Sequence, residues 1–553
     1  MLINSAIRWL SASRLRFAVA VALLLLGLHN ARFWQATIAA VWRPTLADSA
    51  FVMSLASVLL AVHVAVLFMI PGRRAPAWIA AMLLLVAACS GYFLDHLGVF
   101  IDKEMLRNVS ETDAVEVAGL VTPGLLAQVA LLGVLPALVV MRVQLPAQSL
   151  PGAVLSRVAV FANAVLVIAV AAVPVAPHYA SFLREHKPLR YLLNPLSTIS
   201  AATRLLAARF QHDGPVALQD TGGAVIFVDP RTARPLLLFL VIGETARAAN
   251  FGLGGYERDT TPRLRLRNDL VYVADVETCG TSTAYSLPCM LSPLRRSQFD
   301  IDVARRQTNV LDAFVRAGFD VEWRDNNSGC KGLCTRVRFV PFSRAAGGDR
   351  CAGELCLDHT MHDALAEQLR RAPRSTLIVF HQAGSHGPAY AERYPRRFER
   401  FIPACRSREL DECTLQEIVN AYDNTLLYTD YVLASQIALL ESLNDVYDTA
   451  LLYVSDHGES LGEQGLYLHG APYFVAPRTQ TRVPMVIWTS AQYRAGRGLQ
   501  LTCLQRTAQK PASHDHVYHT LLGIAGFRNR AYRPDLDLLA PCRHDQDVPS
   551  SRR

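Results

Sequence analysis

The chain has 553 residues, 51% hydrophobic and 18% charged, with a net charge of +8 at neutral pH. That length exceeds one ordinary domain and suggests about two to four. The charge is modest for the length and no Lys/Arg block interleaves with aromatics, which argues against a nucleic-acid groove; a basic surface facing anionic lipid headgroups fits better.

The first third is dominated by Leu, Val and Ala. Apolar stretches over 17–38, 49–70, 76–95, 117–141 and 154–176 each have the roughly 20 residues a helix needs to cross a bilayer. The first follows Arg8, Arg14 and Arg16 as a signal peptide would. It lacks a small-residue cleavage site and runs past signal length, so it reads as an uncleaved anchor. Basic residues in short loops set orientation. Arg8, Arg14 and Arg16, then Arg73 and Arg74, then Arg142 and Arg157 mark alternate connections as cytoplasmic. The connection 96–116 carries Asp102, Glu104, Glu111, Asp113 and Glu116 and belongs outside. Everything after residue 177 is then periplasmic. The expected division is a five-helix transmembrane domain over 1–177, bridging or interfacial helices over 178–222, and a water-facing domain over 223–553. Within the bridge, Tyr191–Pro195 and Thr203–Arg209 mix apolar and basic positions at helical spacing, as surface-lying or ordinary linker helices do.

From Arg234 the pattern changes. Leu236–Ile242, Thr376–Phe380, Ala450–Val454 and Val483–Trp488 are short continuous apolar runs, and helical stretches such as Val310–Ala317 and Glu417–Leu443 lie between them. Buried strands alternating with helices indicate an α/β domain with a mainly parallel sheet. Ten of the 11 cysteines lie beyond residue 278. Cys279 with Cys289, Cys330 with Cys334, Cys351 with Cys356 and Cys405 with Cys413 are close pairs, as local disulfides in an oxidising compartment would be. Cys503 and Cys542 are candidates for a fifth bridge.

Three of the four apolar runs end in a potential metal ligand. Glu244 follows the first, His381 the second, and Asp456-His457 the third. Strand ends are where such sheets carry their sites, and carboxylate oxygens with an imidazole are ligands zinc accepts. The string Cys279-Gly-Thr-Ser-Thr-Ala-Tyr-Ser-Leu-Pro-Cys289 places three hydroxyls after a glycine at what reads as a helix start. A helix N-terminus favours a developing alkoxide or a bound phosphate, and a threonine hydroxyl needs a metal or base to become nucleophilic. On spacing alone Thr281, Ser282 and Thr283 are equal candidates, and an ordinary N-cap would look the same.

The strings Gly243-Glu-Thr-Ala-Arg247, Cys279-Gly-Thr-Ser-Thr-Ala284, Asp325-Asn-Asn-Ser-Gly-Cys-Lys331, Gly384-Ser-His-Gly-Pro388 and Ser455-Asp-His-Gly-Glu-Ser-Leu-Gly-Glu463 together resemble those of the lipid A phosphoethanolamine transferases. That family includes the mobile colistin-resistance enzymes and falls in the alkaline phosphatase/sulfatase superfamily. The resemblance covers nearly the whole chain. It implies that Thr283 is the nucleophile, that Glu244, Thr283, Asp456 and His457 hold a zinc ion, and that His386 and His469, helped by His381, bind the transferred phosphate or a second zinc. It further implies that Asn327, Ser328 and Lys331 lie near the substrate's ethanolamine and phosphate. Asn108, Thr112 and Glu116, four residues apart and so on one helical face, would touch the donor headgroup. The implied reaction takes phosphoethanolamine from phosphatidylethanolamine to a phosphate of lipid A through a covalent threonine adduct. A monomer anchored in the inner membrane would carry it out and so lower the surface charge that attracts polymyxins. Transfer to a heptose or Kdo of the lipopolysaccharide core, hydrolysis by the same site, glycerophosphate transfer, and a membrane sensor or transporter are the competing readings.

Overall fold

The computed structural model describes residues 2–41, 45–111, 114–211, 218–228, 234–342 and 356–543. The chain divides into two compact units, one of Met1–Leu106 with Val121–Leu206 and one of Arg107–Leu120 with Ala207–Arg553.

In the first unit, helices α1 (Arg14–Leu28) and α2 (Ala31–Val41) meet at a 65° bend, and α3 (Leu46–Met69) and α4 (Ala75–His96) are long and apolar. The chain then passes through a short helix, α5 (Lys103–Glu111), which ends in the second unit, before α6 (Pro123–Met141) and α7 (Leu150–Glu185). Four helices are long and apolar enough to cross a membrane among the described residues, or five if the bent pair is one span. The apolar run 117–141 does not become one helix. Thr122 accepts a hydrogen bond from Leu125 N at 3.2 Å and starts a new helix at Pro123, where proline has no amide hydrogen to leave unpaired.

The break between α1 and α2 falls at His29-Asn30, and an asparagine from elsewhere in the chain closes it. Asn30 Nδ2 donates to Leu25 O at 2.8 Å and Asn194 O at 2.6 Å. Asn194 returns bonds to Asn30 Oδ1, His29 O and Ala87 O, and accepts one from Ser90 Oγ. Trp34 Nε1 takes Leu26 O. Backbone groups freed by a broken span must find protein partners, and these side chains supply them.

The second unit is built on an eight-stranded sheet. Its strands in chain order are β1 (Leu236–Gly243), β2 (Leu270–Glu277), β3 (Asp320–Asp325), β4 (Arg338–Pro341), β5 (Thr376–His381), β6 (Asp448–Ser455), β7 (Arg482–Thr489) and β8 (Ala512–Ser513). The spatial order is β8-β2-β7-β6-β1-β5-β3-β4. All neighbours are parallel except β7, which runs antiparallel to both β2 and β6. Strands β1, β5 and β6 are buried at every position, which is why they read as unbroken apolar runs. Their registers align Ile242 with His381 and Val454, and Gly243 with Ser455. Three strands thus end at one level, and the residues just past them converge.

Helices α8 (Thr283–Met290), α9 (Val310–Arg316), α10 (Leu415–Glu441) and α11 (Asp515–Ala525) belong to this unit. Disulfides join Cys279 to Cys289, Cys330 to Cys334, Cys405 to Cys413 and Cys503 to Cys542. The expected Cys351–Cys356 pair reaches into 351–355, outside the described residues.

Candidate active site

Glu244 directly follows β1, and Asp456 and His457 follow β6; all are buried. Within this group His457 Nε2 lies 3.2 Å from Asp456 Oδ2 and 3.5 Å from Glu244 Oε1. His457 Nδ1 sits 3.0 Å from the Gly458 carbonyl. A carbonyl can only accept, so Nδ1 carries the hydrogen and Nε2 presents its lone pair. Glu244 Oε1 and Asp456 Oδ2 are buried with no hydrogen-bond partner. Three electron-pair donors therefore face one another, an arrangement that costs free energy unless a cation joins them. The two other carboxylate oxygens are satisfied. Asp456 Oδ1 accepts from Thr245 N and His457 N, and Glu244 Oε2 from Asn327 Nδ2 at 2.8 Å. Burial first, and then the adjacent Asp456 charge, push the Glu244 carboxyl up; burial raises Asp456 to about 6 and lowers His457 to about 4. Both carboxylates and a neutral imidazole suit a divalent metal, and these residues fit one.

The hydroxyl of Thr283 enters this cluster. Its Oγ1 donates to Glu244 Oε2 at 3.1 Å and stands 3.3 Å from His457 Nε2. Thr283 opens α8, whose N-cap is Ser282, and the Cys279–Cys289 disulfide ties the preceding loop to that helix. Thr281, equal to Thr283 on spacing, is committed elsewhere, donating from Oγ1 to Ala471 O at 2.7 Å. Two glycines leave room for the loops that meet here. A Cβ on Gly384 (φ 52°) would lie 2.6 Å from Glu244 O, and one on Gly458 would lie 2.0 Å from Thr479 O.

The histidines form a second rank. The His469 ring centre lies 4.4 Å from that of His457, tilted by 42°, and 5.1 Å from that of His386, which it meets edge-on at 71°. His381 ends β5, with Nδ1 2.8 Å from Asp325 Oδ1 and Nε2 buried without a partner. Asn327 Oδ1 accepts from Ser328 N, and Lys331 Nζ donates to Ser328 Oγ at 2.8 Å. Asn327, Ser328 and Lys331 therefore form one strip running out from Glu244. Asn108 lies half-buried on α5, whereas Thr112 and the side chain of Glu116 fall outside the described residues.

Several contributors went unassigned in the sequence although they lie inside or beside its motifs. Asp325 orients His381. Burial raises its carboxyl, but His381, Trp323 and backbone amides outweigh that and hold it below its ordinary value. Glu459 Oε2 pairs with His469 Nδ1 at 2.8 Å while Oε1 accepts from Tyr390; burial lifts this carboxyl to about 7. His514 takes Cys279 N on Nδ1 and meets Ser455 O with Nε2 at 2.9 Å, bracing the threonine loop against the end of β6. The sequence offers no motif for that brace.

A family model described as sulfatase matches residues 237–527, and one described as phosphoethanolamine transferase EptA/EptB matches residues 59–210. Phosphoethanolamine transferase EptA of Escherichia coli is 38% identical over 467 residues, 84% of this chain and 85% of that protein. Phosphatidylethanolamine transferase Mcr-1 of Escherichia coli is 39% identical over 422 residues, 74% of this chain and 78% of that one. A solved structure of the integral membrane protein lipooligosaccharide phosphoethanolamine transferase A from Neisseria meningitidis superposes with a TM-score of 0.92 at 35% identity, covering 96% of this chain and 99% of that one.

Proposed function

The chain belongs to the lipid A phosphoethanolamine transferases of the alkaline phosphatase/sulfatase superfamily, and from that membership we propose that Thr283 carries the phosphoethanolamine group between two lipids. It is an inner-membrane enzyme whose catalytic unit faces the periplasm. The donor is phosphatidylethanolamine and the acceptor a phosphate of lipid A. The membrane part crosses the bilayer five times, the bent pair α1–α2 counting as one span, and the enzyme acts as a monomer. One observation carries the reading: a helix-start hydroxyl, Thr283 Oγ1, is held 3.1 Å from a buried carboxylate of a three-ligand cluster.

Glu244, Asp456, His457 and Thr283 would hold zinc. Bound there, zinc lowers the pKa of a coordinated hydroxyl and neutralises phosphoryl oxygens. The protein's own groups do the rest by positioning and charge, as in other phosphoryl transfers. Thr283 Oγ1 forms a bond to phosphorus and gives its proton toward Glu244 Oε2, the atom it already faces. The bond from phosphorus to the diacylglycerol oxygen breaks, and that oxygen takes a proton from the His386–His469 pair. An oxygen of the acceptor phosphate, giving its proton to the His386–His469 pair, then bonds to phosphorus, the Oγ1 bond breaks, and Thr283 regains its proton from Glu244. Glu459 and Asp325 fix the rings of His469 and His381 so that their Nε2 atoms face the reacting phosphate or a second zinc. Asn327, Ser328 and Lys331 bind the transferred phosphate and ethanolamine, and Asn108, Thr112 and Glu116 the donor headgroup.

Purified enzyme mixed with phosphatidylethanolamine in the absence of acceptor should gain the mass of one phosphoethanolamine on the peptide containing Thr283, and Thr283→Ala should gain none. Adding lipid A should discharge the adduct and yield modified lipid A. An unmodified peptide alongside full turnover would end the covalent reading; modified core sugar with unmodified lipid A would end the acceptor assignment.

A further inference from the structure

Within the membrane unit, α3 packs on both α1 and α7, and the three helices enclose a groove of about 500 Å³. Leu15 and Val19 of α1, Leu60 and Val64 of α3, and Val160 and Val167 of α7 line it. Two polar side chains join these apolar ones, Ser57 and Asn163. Ser57 Oγ donates to Met53 O at 2.8 Å, a bond within its own helix. Asn163 stands exposed in the groove, inside an apolar span. An amide at membrane depth costs free energy unless whatever fills the groove bonds to it.

One end of the groove lies beside arginines. Arg14 precedes Leu15, and Arg157 stands three residues before Val160. From this end α7 leads into the periplasmic chain, so this end is the cytoplasmic one. Arg14 is buried and donates from Nη2 to Gly72 O at 2.7 Å and to Pro146 O at 3.4 Å, which ties the loops before α4 and α7 to the start of α1. Arg157 lies within electrostatic reach of it. The Nε atoms of both arginines are buried with no hydrogen-bond partner among the described residues. Stretches 1–28, 70–74 and 142–157 contain seven arginines and no Asp or Glu, so the sequence itself places no carboxylate there. Like charges held at a membrane boundary call for an anion, and the cytoplasmic leaflet offers anionic phospholipid. The order of groups along the groove is that of a glycerophospholipid. Six residues of helix, about 9 Å, separate Arg157 from Asn163, which sets the amide at the depth of ester carbonyls, below a phosphate and above the acyl chains.

We propose that this groove binds one anionic phospholipid of the cytoplasmic leaflet, with its phosphate at Arg14 and Arg157, an ester carbonyl on Asn163 and an acyl chain along α3. None of these residues is assigned a part in the transfer reaction. Full-length enzyme in a neutral detergent, supplied with phosphatidylglycerol or with phosphatidylcholine of the same chains, tests the site by native mass spectrometry and thermal unfolding. Wild type should retain one phosphatidylglycerol and unfold several degrees higher with it; phosphatidylcholine and inorganic phosphate should do neither. Arg157→Gln should bind phosphatidylglycerol about fivefold more weakly, and Arg157→Lys should recover most of that loss. Asn163→Leu should bind it about threefold more weakly. Equal retention of the two lipids by wild type overturns the assignment without recourse to any variant, and so does unchanged phosphatidylglycerol binding in Arg157→Gln. Inorganic phosphate that protects as well as the lipid would leave an ion site without the groove. Wild-type dimers that Asn163→Leu separates would give the groove to a second copy of the chain. Either result overturns the lipid.

Discussion

At Glu244, Asp456 and His457 three lone pairs meet, and Thr245, the residue after Glu244, sits at φ 55°, a region β-branched residues rarely adopt. Glu244→Gln tests the charge at this point while keeping the side-chain size. With metal present, the variant should bind zinc at least about a hundredfold more weakly and lose activity that excess zinc partly restores. After chelation the order should reverse, because removing one of two buried, mutually repelling carboxylates makes the variant harder to unfold than wild type. Zinc titration and thermal unfolding with and without chelator check both, and a variant less stable than wild type in chelator would refute the repulsion argument. The carboxylates and the imidazole that meet here stood at strand ends in the sequence. What spacing alone could not supply is how the hydroxyls part in the fold: Thr283 Oγ1 meets Glu244 and His457, whereas Thr281 Oγ1 bonds to the distant Ala471 carbonyl. The partners Asp325 and Glu459 were visible as motif letters without a role, since a role depends on which imidazole they reach.

Single elements show the same division. Strands β1, β5 and β6 announce themselves because both faces are buried, whereas β3 reads Asp320-Val-Glu-Trp-Arg-Asp325 and hides its burial behind charges that pair internally, Arg324 Nε with Glu322 Oε1 at 2.6 Å. The antiparallel direction of β7 left no trace in composition, because direction is set by its connections. In the membrane unit the run 17–38 read as one straight span, and the bend at His29-Asn30 depends on Asn194, more than 160 residues away. Asn194 is buried and its side chain bonds His29 O, Ala87 O and Ser90 Oγ. Asn194→Ala would leave those groups unsatisfied in an apolar surround, at roughly 1–3 kcal/mol. Unfolding of the full chain in micelles should show that loss, with Ser90→Ala losing less. An Asn194→Ala protein as stable as wild type would mean that lipid or water takes over these bonds.

For the molecule as a whole, the paired cysteines and basic loops pointed correctly to an anchored enzyme with its catalytic unit in an oxidising compartment. The pH response of that unit was not legible, since it depends on which acids end up inside. Asp430 on α10 is one. It is buried, accepts hydrogen bonds from Arg263 N and Leu264 N at 3.0 and 2.9 Å, and burial pushes its carboxyl from 3.8 up to about 6. Because the folded value lies above the unfolded one, the folded state keeps a proton that the unfolded state releases. The associated stability is complete below about pH 4 and is lost as pH rises through 6, by about 3 kcal/mol. Asp430→Asn cannot titrate and keeps one acceptor oxygen. The wild-type-minus-variant difference in unfolding free energy, followed by tryptophan fluorescence in denaturant, should therefore fall steadily between pH 4 and pH 7 and level off above it. Parallel curves across that range would show that Asp430 stays ionised in the folded protein and that its two backbone amides outweigh its burial.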